Sequence, residues 1–312
     1  MKTYEHVYEI LSKSPGFVTG ESLAKNLGVS RTAIWKAIQT LQEQGVVITS
    51  VRKKGYRLEK GDILLPQEIS NQLKIPVYFN SNSTSTQLDA KHGMEKQNPV
   101  PALYLASNQG AAKGRFERHF YTSPNGGIYM SIHLKPNCHY SELPPYTMMV
   151  AASIVKAIQR LTDIDTDIKW VNDIYLNNKK MAGVLTEAIS SIESGRITDV
   201  IIGVGLNFSI SGFPKELATK ATSLFQNEHP TITRNQLISE IWRLFLTIPT
   251  TDLVKVYKEK SLVLDKQVTF EQAGKTYTGV AKEIGDKGQL LVLTDDGQEK
   301  WLSAGEVSLT SW

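Results

Sequence analysis

The stretch from Gln109 to Phe120 has the composition of a loop that binds a negatively charged ligand. It lies between two apolar runs that predict strands, Leu103–Ala106 and Ile128–Lys135, and it contains two glycines, two alanines and three cations. Because the stretch has no apolar stripe to bury, its backbone is expected to approach a ligand while its cations meet negative charge. It is not a Walker loop, since no Gly-Lys-Ser/Thr triplet ends it and no helix pattern follows. A solvated basic hairpin is the alternative interpretation.

A second group of polar residues lies in a predicted β-hairpin. Its arms are Ile168–Leu176 and Lys179–Glu187, joined by a turn of two asparagines. The arms carry polar residues that are unusual for a core hairpin, namely Lys169, Asn172, Asp173 and Lys180. A further strand, Val200–Phe208, is nearly apolar and therefore predicted to be buried. Its two glycines form no dinucleotide fingerprint, because no third glycine follows, and such glycines more often admit a ligand or a neighbouring backbone.

A run of hydroxyl residues, Asn82–Thr86, follows the predicted strand Val77–Phe79 and precedes an amphipathic helix. Hydroxyl side chains at a strand-to-helix junction are most often helix caps. On position alone, the sequence favours this structural role over ligand binding.

The composition is that of a globular protein with more than one domain. The chain has 312 residues, of which 41% are hydrophobic and 21% are charged, and two or three domains are expected. No apolar run is long enough to span a membrane, and the N-terminus lacks the apolar core of a signal peptide. The single cysteine, Cys138, excludes an internal disulfide and argues against a cysteine-based metal cage. We expect a cytoplasmic protein without a membrane partner or a dedicated metal site.

The first sixty residues carry all the excess positive charge and the pattern of a winged helix-turn-helix. They contain ten Lys/Arg and five Asp/Glu, whereas the rest of the chain is nearly balanced. Helices are predicted over residues 4–13 and 21–27 and from Ser30 to Gln44, followed by strands Val46–Val51 and Tyr56–Leu58. A three-helix protein-interaction module is the alternative, but the basic wing favours DNA binding. The expected DNA-binding residues are Ser30, Arg31, Thr32, Trp35, Lys36, Gln39, Arg52, Lys53 and Lys54.

The remaining pattern predicts two further domains in an α+β protein. A linker at Gly61–Pro66 leads into a central region with helices expected over residues 146–162 and 235–260. From Leu264 onward the sequence shows short strands with tight turns, which is typical of a small β-barrel. The predicted domains are a winged helix-turn-helix (1–62), a central α/β domain (66–262) and a C-terminal small β-barrel (263–312).

In their order along the chain, these pieces closely resemble the bacterial family of bifunctional biotin–protein ligases that also repress the biotin operon. The resemblance depends on the loop Gly110–Arg118, on Lys169–Asp173, on Lys180–Val184 and on Ile202–Asn207. It implies a central domain similar to class II synthetases and a C-terminal SH3-like barrel. It also implies two reactions: biotin and MgATP form biotinyl-5′-AMP, and the biotinyl group then passes to a lysine of a biotin carboxyl carrier protein, such as that of acetyl-CoA carboxylase.

The resemblance also implies roles for individual residues. Lys180, Arg115 and Lys113 would be catalytic, with Lys180 contacting both the biotin carboxylate and the α-phosphate. Biotin and its adenylate would contact Ser83, Thr84, Ser85, Gln109, Lys113, Gly114, Arg115 and Lys180. The nucleotide and its Mg²⁺ would be held with the help of Arg118, Phe120, Lys169, Asn172 and Asp173. Attack of the biotin carboxylate on the α-phosphate brings two anions together, and negative charge then develops on the leaving pyrophosphate. Fixed cations would stabilise both charges, so the reaction requires no nucleophilic side chain.

The sequence departs from the family in four places. Ala112 and Lys113 replace loop residues that are usually Gly and Arg, Val171 replaces a proline and Phe120 replaces a tryptophan. Alanine restricts the backbone more than glycine, and lysine lacks the bidentate fork of arginine, so weaker retention of the adenylate is expected. No reacting group is missing.

Two other functions are alternatives to the ligase. A lipoate or octanoate ligase would share the fold, but the polar groups at Ser83–Ser85 and Gln109 suit a ureido ring better than a fatty chain. A winged-helix transcription factor that only senses a metabolite would not need Lys180 and Arg115. In the family, ligand binding is expected to favour a homodimer, which would pair two winged helices on a two-fold operator.

Overall fold

The structure is a computed structural model that describes residues 2–226, 229–303, 305 and 307–309. Residues 1, 227–228, 304, 306 and 310–312, which belong to the three predicted domains, lie outside the described residues. No described helix is both long and apolar enough to cross a membrane.

The N-terminal unit is a winged helix-turn-helix, as predicted. It consists of α1 (Thr3–Lys13), α2 (Gly20–Leu27), α3 (Arg31–Glu43), β1 (Val47–Val51) and β2 (Gly55–Lys60), with the two strands antiparallel. Ser30 caps α3 through its hydroxyl, which accepts a hydrogen bond from the Ala33 N–H at 3.1 Å. Gly28 ends α2 with φ at +63°, a conformation that glycine adopts without strain. Ile34, Ala37, Ile38 and Leu41 are buried along one side of α3.

The central unit is built on a seven-stranded sheet. Its elements are α4 (Pro66–Leu73), β3 (Val77–Phe79), α5 (Thr86–Glu95), β4 (Ala102–Ala106), β5 (Gly127–Leu134), α6 (Tyr146–Thr162), β6 (Asp167–Lys169), β7 (Asp173–Leu176), β8 (Lys179–Ser190), β9 (Ile197–Asn207), α7 (Arg234–Thr247) and α8 (Thr250–Glu259). The strand order is β3-β4-β5-β9-β8-β7-β6, and only β3 and β4 run parallel. The sheet and α6, α7 and α8 share the large core, whereas α5 packs on the other face at Ala90, against Tyr104 and Ile201.

Two elements of this unit that were predicted as continuous are each divided into two in the structure. The arm predicted over 168–176 is divided into β6 and β7, which pair with each other around a turn at Trp170–Asn172 that contains a cis peptide bond between Trp170 and Val171. The helix predicted over 235–260 is divided into α7 and α8 at Ile248 and Pro249. Ile248 is extended (φ −83°, ψ 136°), because a proline disfavours helical geometry in the residue before it.

The C-terminal unit is a five-stranded antiparallel sheet, which agrees with the predicted all-β domain. Its strands are β10 (Gln267–Gln272), β11 (Lys275–Ile284), β12 (Leu290–Thr294), β13 (Glu299–Leu302) and β14 (Val307–Leu309), in the order β13-β12-β11-β10-β14. Its buried side chains, including Val268 and Leu290, belong to the same apolar cluster as the central unit.

Buried polar contacts join the N-terminal unit to α7. The Arg234 side chain donates from Nε to Asp62 Oδ1 at 2.7 Å and from Nη2 to the Asp62 carbonyl at 2.9 Å. Asn235 accepts from the Leu65 N–H at 2.9 Å and donates to the Ile63 carbonyl at 2.8 Å. The linker predicted at 61–66 is therefore fixed to the central unit by side chains more than 160 residues away along the chain.

Candidate active site and nucleic-acid interface

A cavity of about 380 Å³ lies over β8 and β9, enclosed by the loop 109–121, the turn 170–172 and the segment 213–221. The sequence-predicted residues that line it are Ser85, Gln109, Lys113, Gly114, Arg115, Arg118, Phe120, Lys169, Asn172, Asp173 and Lys180. The structure therefore brings together side chains that are up to 95 positions apart in the sequence.

Three glycines form the floor of the cavity and make room for the side chains above them. Gly183 pairs with Gly205 across β8 and β9, and Gly203 lies two residues from Gly205 on the same strand. A Cβ on Gly205 would overlap the ring of Phe120, and a Cβ on Gly203 would lie 2.9–3.2 Å from the side chain of Gln87. The sequence predicted that Gly203 and Gly205 admit a ligand or a neighbouring backbone, whereas in the structure the atoms nearest to them belong to the side chains of Gln87 and Phe120.

One end of the cavity is cationic. Lys180 Nζ lies 2.8 Å from Asp173 Oδ1, and about a third of the Lys180 side chain is exposed. The backbone of Lys180 is fixed between residues 220 and 222, because its N–H donates to the Lys220 carbonyl and its carbonyl accepts from the Thr222 N–H. This ammonium group is thus held within the cavity.

The Trp170–Asn172 turn is held in place by hydrogen bonds to two other parts of the chain. The Trp170 indole donates to the Gly288 carbonyl at 2.8 Å, and the Tyr257 hydroxyl donates to the Val171 carbonyl at 2.9 Å. Burial, and to a lesser extent the Asp173 carboxylate, raises the pKa of Tyr257, so this phenol stays a hydrogen-bond donor. The C-terminal sheet and α8 therefore position a turn that lines the cavity.

Asn172 connects this turn to the basic loop. Its side chain accepts from Arg115 Nη1 at 3.1 Å and donates to the Val184 carbonyl at 3.0 Å. Its backbone carbonyl accepts from the Val184 N–H at 2.9 Å. The guanidinium of Arg115 is consequently aimed at the same end of the cavity as Lys180.

The base of the basic loop is anchored to the hydroxyl-rich run. The Gly110 N–H donates to the Ser83 carbonyl at 3.0 Å, and the Ala111 N–H donates to the Thr84 carbonyl at 2.9 Å. Gln109 and Ala112 are buried at this base, but no described hydrophobic cluster contains a residue of the loop, as expected for a stretch without an apolar stripe.

The tip of the loop folds back on itself. Lys113 and His119 form an antiparallel bridge, and the Gly114 N–H donates to the Arg118 carbonyl at 2.8 Å. Lys113 also forms an ion pair with Glu117, and this contact lowers the pKa of the Glu117 carboxyl.

Phe116 is at the turn of this tip, with φ at +56° and 63% of its surface exposed. The guanidinium groups of Arg115 and Arg118 lie 5.0 Å and 5.7 Å from its ring, within the range of cation–π attraction.

Two predicted site residues, Ser83 and Thr84, are not among the side chains that line the cavity. The Ser83 hydroxyl donates to Asp89 Oδ2 at 2.6 Å, and the Thr84 side chain is exposed. Ser85 is at the N-cap of α5, but its side chain makes no cap hydrogen bond, so the capping interpretation is wrong at this position.

Several lining residues were not predicted from the sequence, among them Gln87, Tyr121, Trp170, Phe213 and Lys220. Gln87 and Trp170 lie next to residues of recognised sequence motifs. This closeness in the sequence was the only signal that could have identified them as site residues. Phe213 and Lys220 lie in a long connection without a motif, which reaches the cavity only because residues 220–222 flank Lys180.

The predicted DNA-binding residues are exposed on α3 and in the β1–β2 turn. Arg31, Thr32, Trp35, Lys36 and Gln39 are all exposed on α3, and Trp35 retains 52% of its surface. Arg52, Lys53 and Lys54 are exposed in the β1–β2 turn, the wing. Arg31 is paired with Glu21 at 2.5 Å, and the exposed Ser30 uses its hydroxyl as the cap of α3.

Among the described residues, no group of three or more His, Cys, Asp or Glu side chains is arranged to hold a metal ion. Asp173 is the carboxylate that lines the cavity beside Lys180.

Comparisons with known proteins match all three units. Residues 4–57 match the HTH domain family, residues 78–207 match the biotin/lipoate A/B protein ligase family, and residues 263–310 match the biotin protein ligase C terminal domain. The bifunctional ligase/repressor BirA of Bacillus subtilis is 34% identical over 303 residues, which cover 92% of this chain and 93% of that protein. The BirA of Escherichia coli is 26% identical over 306 residues, covering 95% and 94%.

A solved structure has the same fold over three quarters of the chain. The biotin protein ligase from Aquifex aeolicus in complex with biotin and ATP is 26% identical, with a TM-score of 0.62, and the match covers 75% of this chain and 98% of that one. With the full-length likeness to the Bacillus subtilis protein, these matches show that the chain belongs to the bifunctional ligase/repressor BirA family.

Proposed function

We propose that this chain, a biotin–protein ligase by family, binds biotin and ATP side by side in the cavity over β8 and β9. A biotin carboxylate oxygen attacks the α-phosphorus, the bond from that phosphorus to the oxygen bridging to the β-phosphate breaks, and pyrophosphate leaves. The amine of a carrier-protein lysine then attacks the acyl carbon of biotinyl-5′-AMP. The carbon–oxygen bond to AMP breaks, the amine loses a proton, and the biotinylated carrier and AMP are released.

Lys180, Arg115 and Lys113 are the residues that we propose to stabilise the first step. Lys180 is held in the cavity by its backbone and by Asp173, and Arg115 is directed by Asn172. Cations fixed in this way cost no reorganisation when charge develops between the carboxylate and the phosphates. Lys113 and Gly114 would close over the adenylate as the loop orders around it and excludes water.

We further propose that the nucleotide lies toward the turn Trp170–Asn172. Arg118 and Lys169 supply positive charge there, and Phe120 supplies an aromatic face. When MgATP binds, Asp173 and Asn172 would supply the oxygen ligands, in keeping with the one or two carboxylates that Mg²⁺ usually takes from a nucleotide site.

The neutral part of the cavity is the proposed biotin-binding region, with Ser85 and Gln109 in its wall. Ser83 and Thr84 support the loop through their carbonyl groups. Their direct contact with biotin stays a prediction.

The observation that carries the ligase proposal is the Lys180 ammonium group held inside the cavity beside Asp173. We propose to test it with purified protein, biotin, MgATP and an apo biotin carboxyl carrier domain, measuring transfer of biotin to the carrier. Lys180→Ala should lower the rate by about 10²–10³-fold, as expected for the loss of one preorganised donor. Lys179→Ala is the matched control, because the neighbouring lysine donates to the Ala218 carbonyl and does not line the cavity.

Wild-type protein that transfers no biotin would refute the proposal. Transfer of lipoate or octanoate in place of biotin would favour a lipoate-type ligase. Ligand binding without turnover, unchanged by Lys180→Ala, would favour a transcription factor that only senses a metabolite.

We also propose that the N-terminal unit binds operator DNA and that liganded protein dimerises on a two-fold site. The support is the basic exposed face of α3 and the wing. Gel-shift titration with and without biotin and MgATP tests the coupling, and binding indifferent to both ligands would contradict it. An Arg52→Ala, Lys53→Ala, Lys54→Ala variant should weaken binding to all DNA sequences. The logarithm of its binding constant should also fall less steeply with the logarithm of the salt concentration. This slope should decrease in magnitude by about 0.9 for each phosphate that the wing no longer neutralises.

We also propose three domains, with boundaries at 1–62, 66–262 and 263–312, and a cytoplasmic location. ATP, carrier proteins and chromosomal operators are found together in the bacterial cytoplasm, which is the support for that location.

A further inference from the structure

Trp35 lies on the exposed side of α3 and takes no part in packing the N-terminal unit. Its side chain keeps 52% of its surface exposed, whereas Ile34, Ala37, Ile38 and Leu41 are buried on the packed side of the helix. Among the described residues, the apolar cluster of this unit and the partly buried side chains packed against it do not include Trp35. Folding therefore does not account for this large apolar side chain.

The position of Trp35 is more informative than its exposure, because single exposed apolar side chains are common on protein surfaces. Trp35 is in the second turn of α3, and the N-terminal residues of a recognition helix are those that contact base edges. Thr32 lies one turn before it and Gln39 one turn after it, since residues three or four apart are neighbours on a helix surface. Both are exposed. Trp35 is thus at the centre of the surface that would enter the major groove.

The cations of α3 lie at the edge of this surface or are already paired. Lys36 is turned by about 100° from Trp35 around the helix axis. Arg31 donates from Nη2 to Glu21 Oε2 at 2.5 Å, so the arginine that could read a guanine is held by α2. The wing, Arg52–Lys54, supplies exposed positive charge for the phosphates. The centre of the surface therefore offers an indole, an amide and a hydroxyl.

These groups are complementary to an A·T segment. The thymine C5-methyl is the apolar group that base pairs present in the major groove, and the indole offers a broad apolar face with a single N–H donor. A glutamine amide is complementary to adenine N6 and N7. Trp35 and Gln39 are about 6 Å apart along the helix axis, which is roughly two base-pair steps of about 3.4 Å, so both can read one short segment.

We propose that Trp35 is a specificity-determining residue that packs against a thymine C5-methyl group in each operator half-site, with Gln39 on an adenine beside it. The inference rests on the proposed binding of operator DNA. A dimer on a two-fold site makes this contact twice. Removing one methyl should weaken binding about fourfold, as expected for one buried CH₂ group, and removing both should weaken it about 10-fold to 20-fold.

Replacement of thymine by uracil tests the contact, because it removes the methyl and leaves every hydrogen-bonding group in place. Full-length protein with biotin and MgATP first selects its preferred sequence from duplexes with a randomised centre. Each symmetric pair of thymines in that sequence is then replaced by uracil, and the affinity is measured by gel shift. Wild-type protein should lose about 10-fold to 20-fold in affinity at one such pair.

Trp35→Ala separates base readout from a structural role. The variant should bind the thymine duplex more weakly and bind the thymine and uracil duplexes equally, which a general loss of helix stability would not produce. Val47→Ala is the matched control, because Val47 is 41% exposed in the same unit but lies on β1, and it should keep the full uracil effect. The uracil series in wild-type protein decides the question even if Trp35→Ala does not fold.

Wild-type affinity that changes less than about twofold at every thymine pair would overturn the inference while operator binding stands. A selected half-site without thymine would do the same. If Trp35→Ala keeps the uracil effect but loses self-association, Trp35 belongs to a protein contact and the inference is wrong. If wild-type protein enriches no sequence, the proposed operator binding itself has failed.

Discussion

Replacing Arg234 by methionine should loosen the attachment of the N-terminal unit. Arg234 is 1% exposed, and besides its side-chain contacts its backbone N–H donates to Asp62 Oδ2 at 2.5 Å. Nη1 also lies 3.4 Å from the carbonyl of Gly127, the first residue of β5. Methionine fits the space but removes every side-chain donor, so three acceptors lose a partner at once.

The expected cost is about 3 kcal/mol, the lower end of the ~3–5 kcal/mol seen when one partner of a buried ion pair is removed. The lower end applies because the Asp62 side chain keeps 12% exposure and the backbone donor remains. Since every 1.4 kcal/mol is tenfold, the fraction of molecules with a detached N-terminal unit should rise by about 100-fold.

Native-state proteolysis of the 61–66 linker, together with guanidinium unfolding, measures this change. Arg243→Met is the matched control on the same helix, because that arginine is 44% exposed and pairs with Glu240 at the surface. Its loss should cost less than about 1 kcal/mol. If Arg234→Met is cleaved no faster than this control and unfolds at the same guanidinium concentration, the buried pair does not fix the unit in place.

Three further substitutions have distinct expected outcomes. Gly55→Ala should abolish operator binding, because φ at Gly55 is +103° and a Cβ there would meet backbone atoms just before α2. Carrier labelling should be unaffected, so a gel shift and a labelling assay distinguish the two activities. Gly205→Ala should displace the Phe120 ring and raise the KM for ATP. Gly16→Ala is the control for alanine at a glycine position, because Gly16 has open space around it and no positive φ. Tyr257→Phe should lower the free energy of unfolding by about 1–3 kcal/mol, because the Val171 carbonyl loses its donor; an unchanged unfolding midpoint would contradict this.

Local patterns were sufficient for the elements whose signals lie close together in the sequence. The cap at Ser30, the turn at Gly28 and the apolar spacing of α3 each depend on neighbours within a few residues, and the helix predicted from Ser30 is confirmed as α3. Pro249 is a local signal for the break between α7 and α8, although the prediction extends one helix across it.

The site was predictable only as far as its motifs extended. Residues such as Lys180, Arg115 and Asn172 belong to recognisable stretches, and they line one cavity. The direction of the Ser83 hydroxyl toward Asp89 was not predictable, because it depends on how α5 packs against the preceding loop. Gln87 was missed for a similar reason, since its neighbour Glu187 is 100 positions away.

The hydrogen bond from the Trp170 indole to the Gly288 carbonyl bears on how this enzyme can be shortened or recombined. Every described residue that lines the cavity precedes position 222, so a chain cut before residue 263 would retain all of these lining residues. It would nevertheless lose the acceptor for Trp170 and uncover the apolar cluster shared by the two units. A chimera between relatives therefore needs to exchange residues 285–288 and 170–172 as a matched pair.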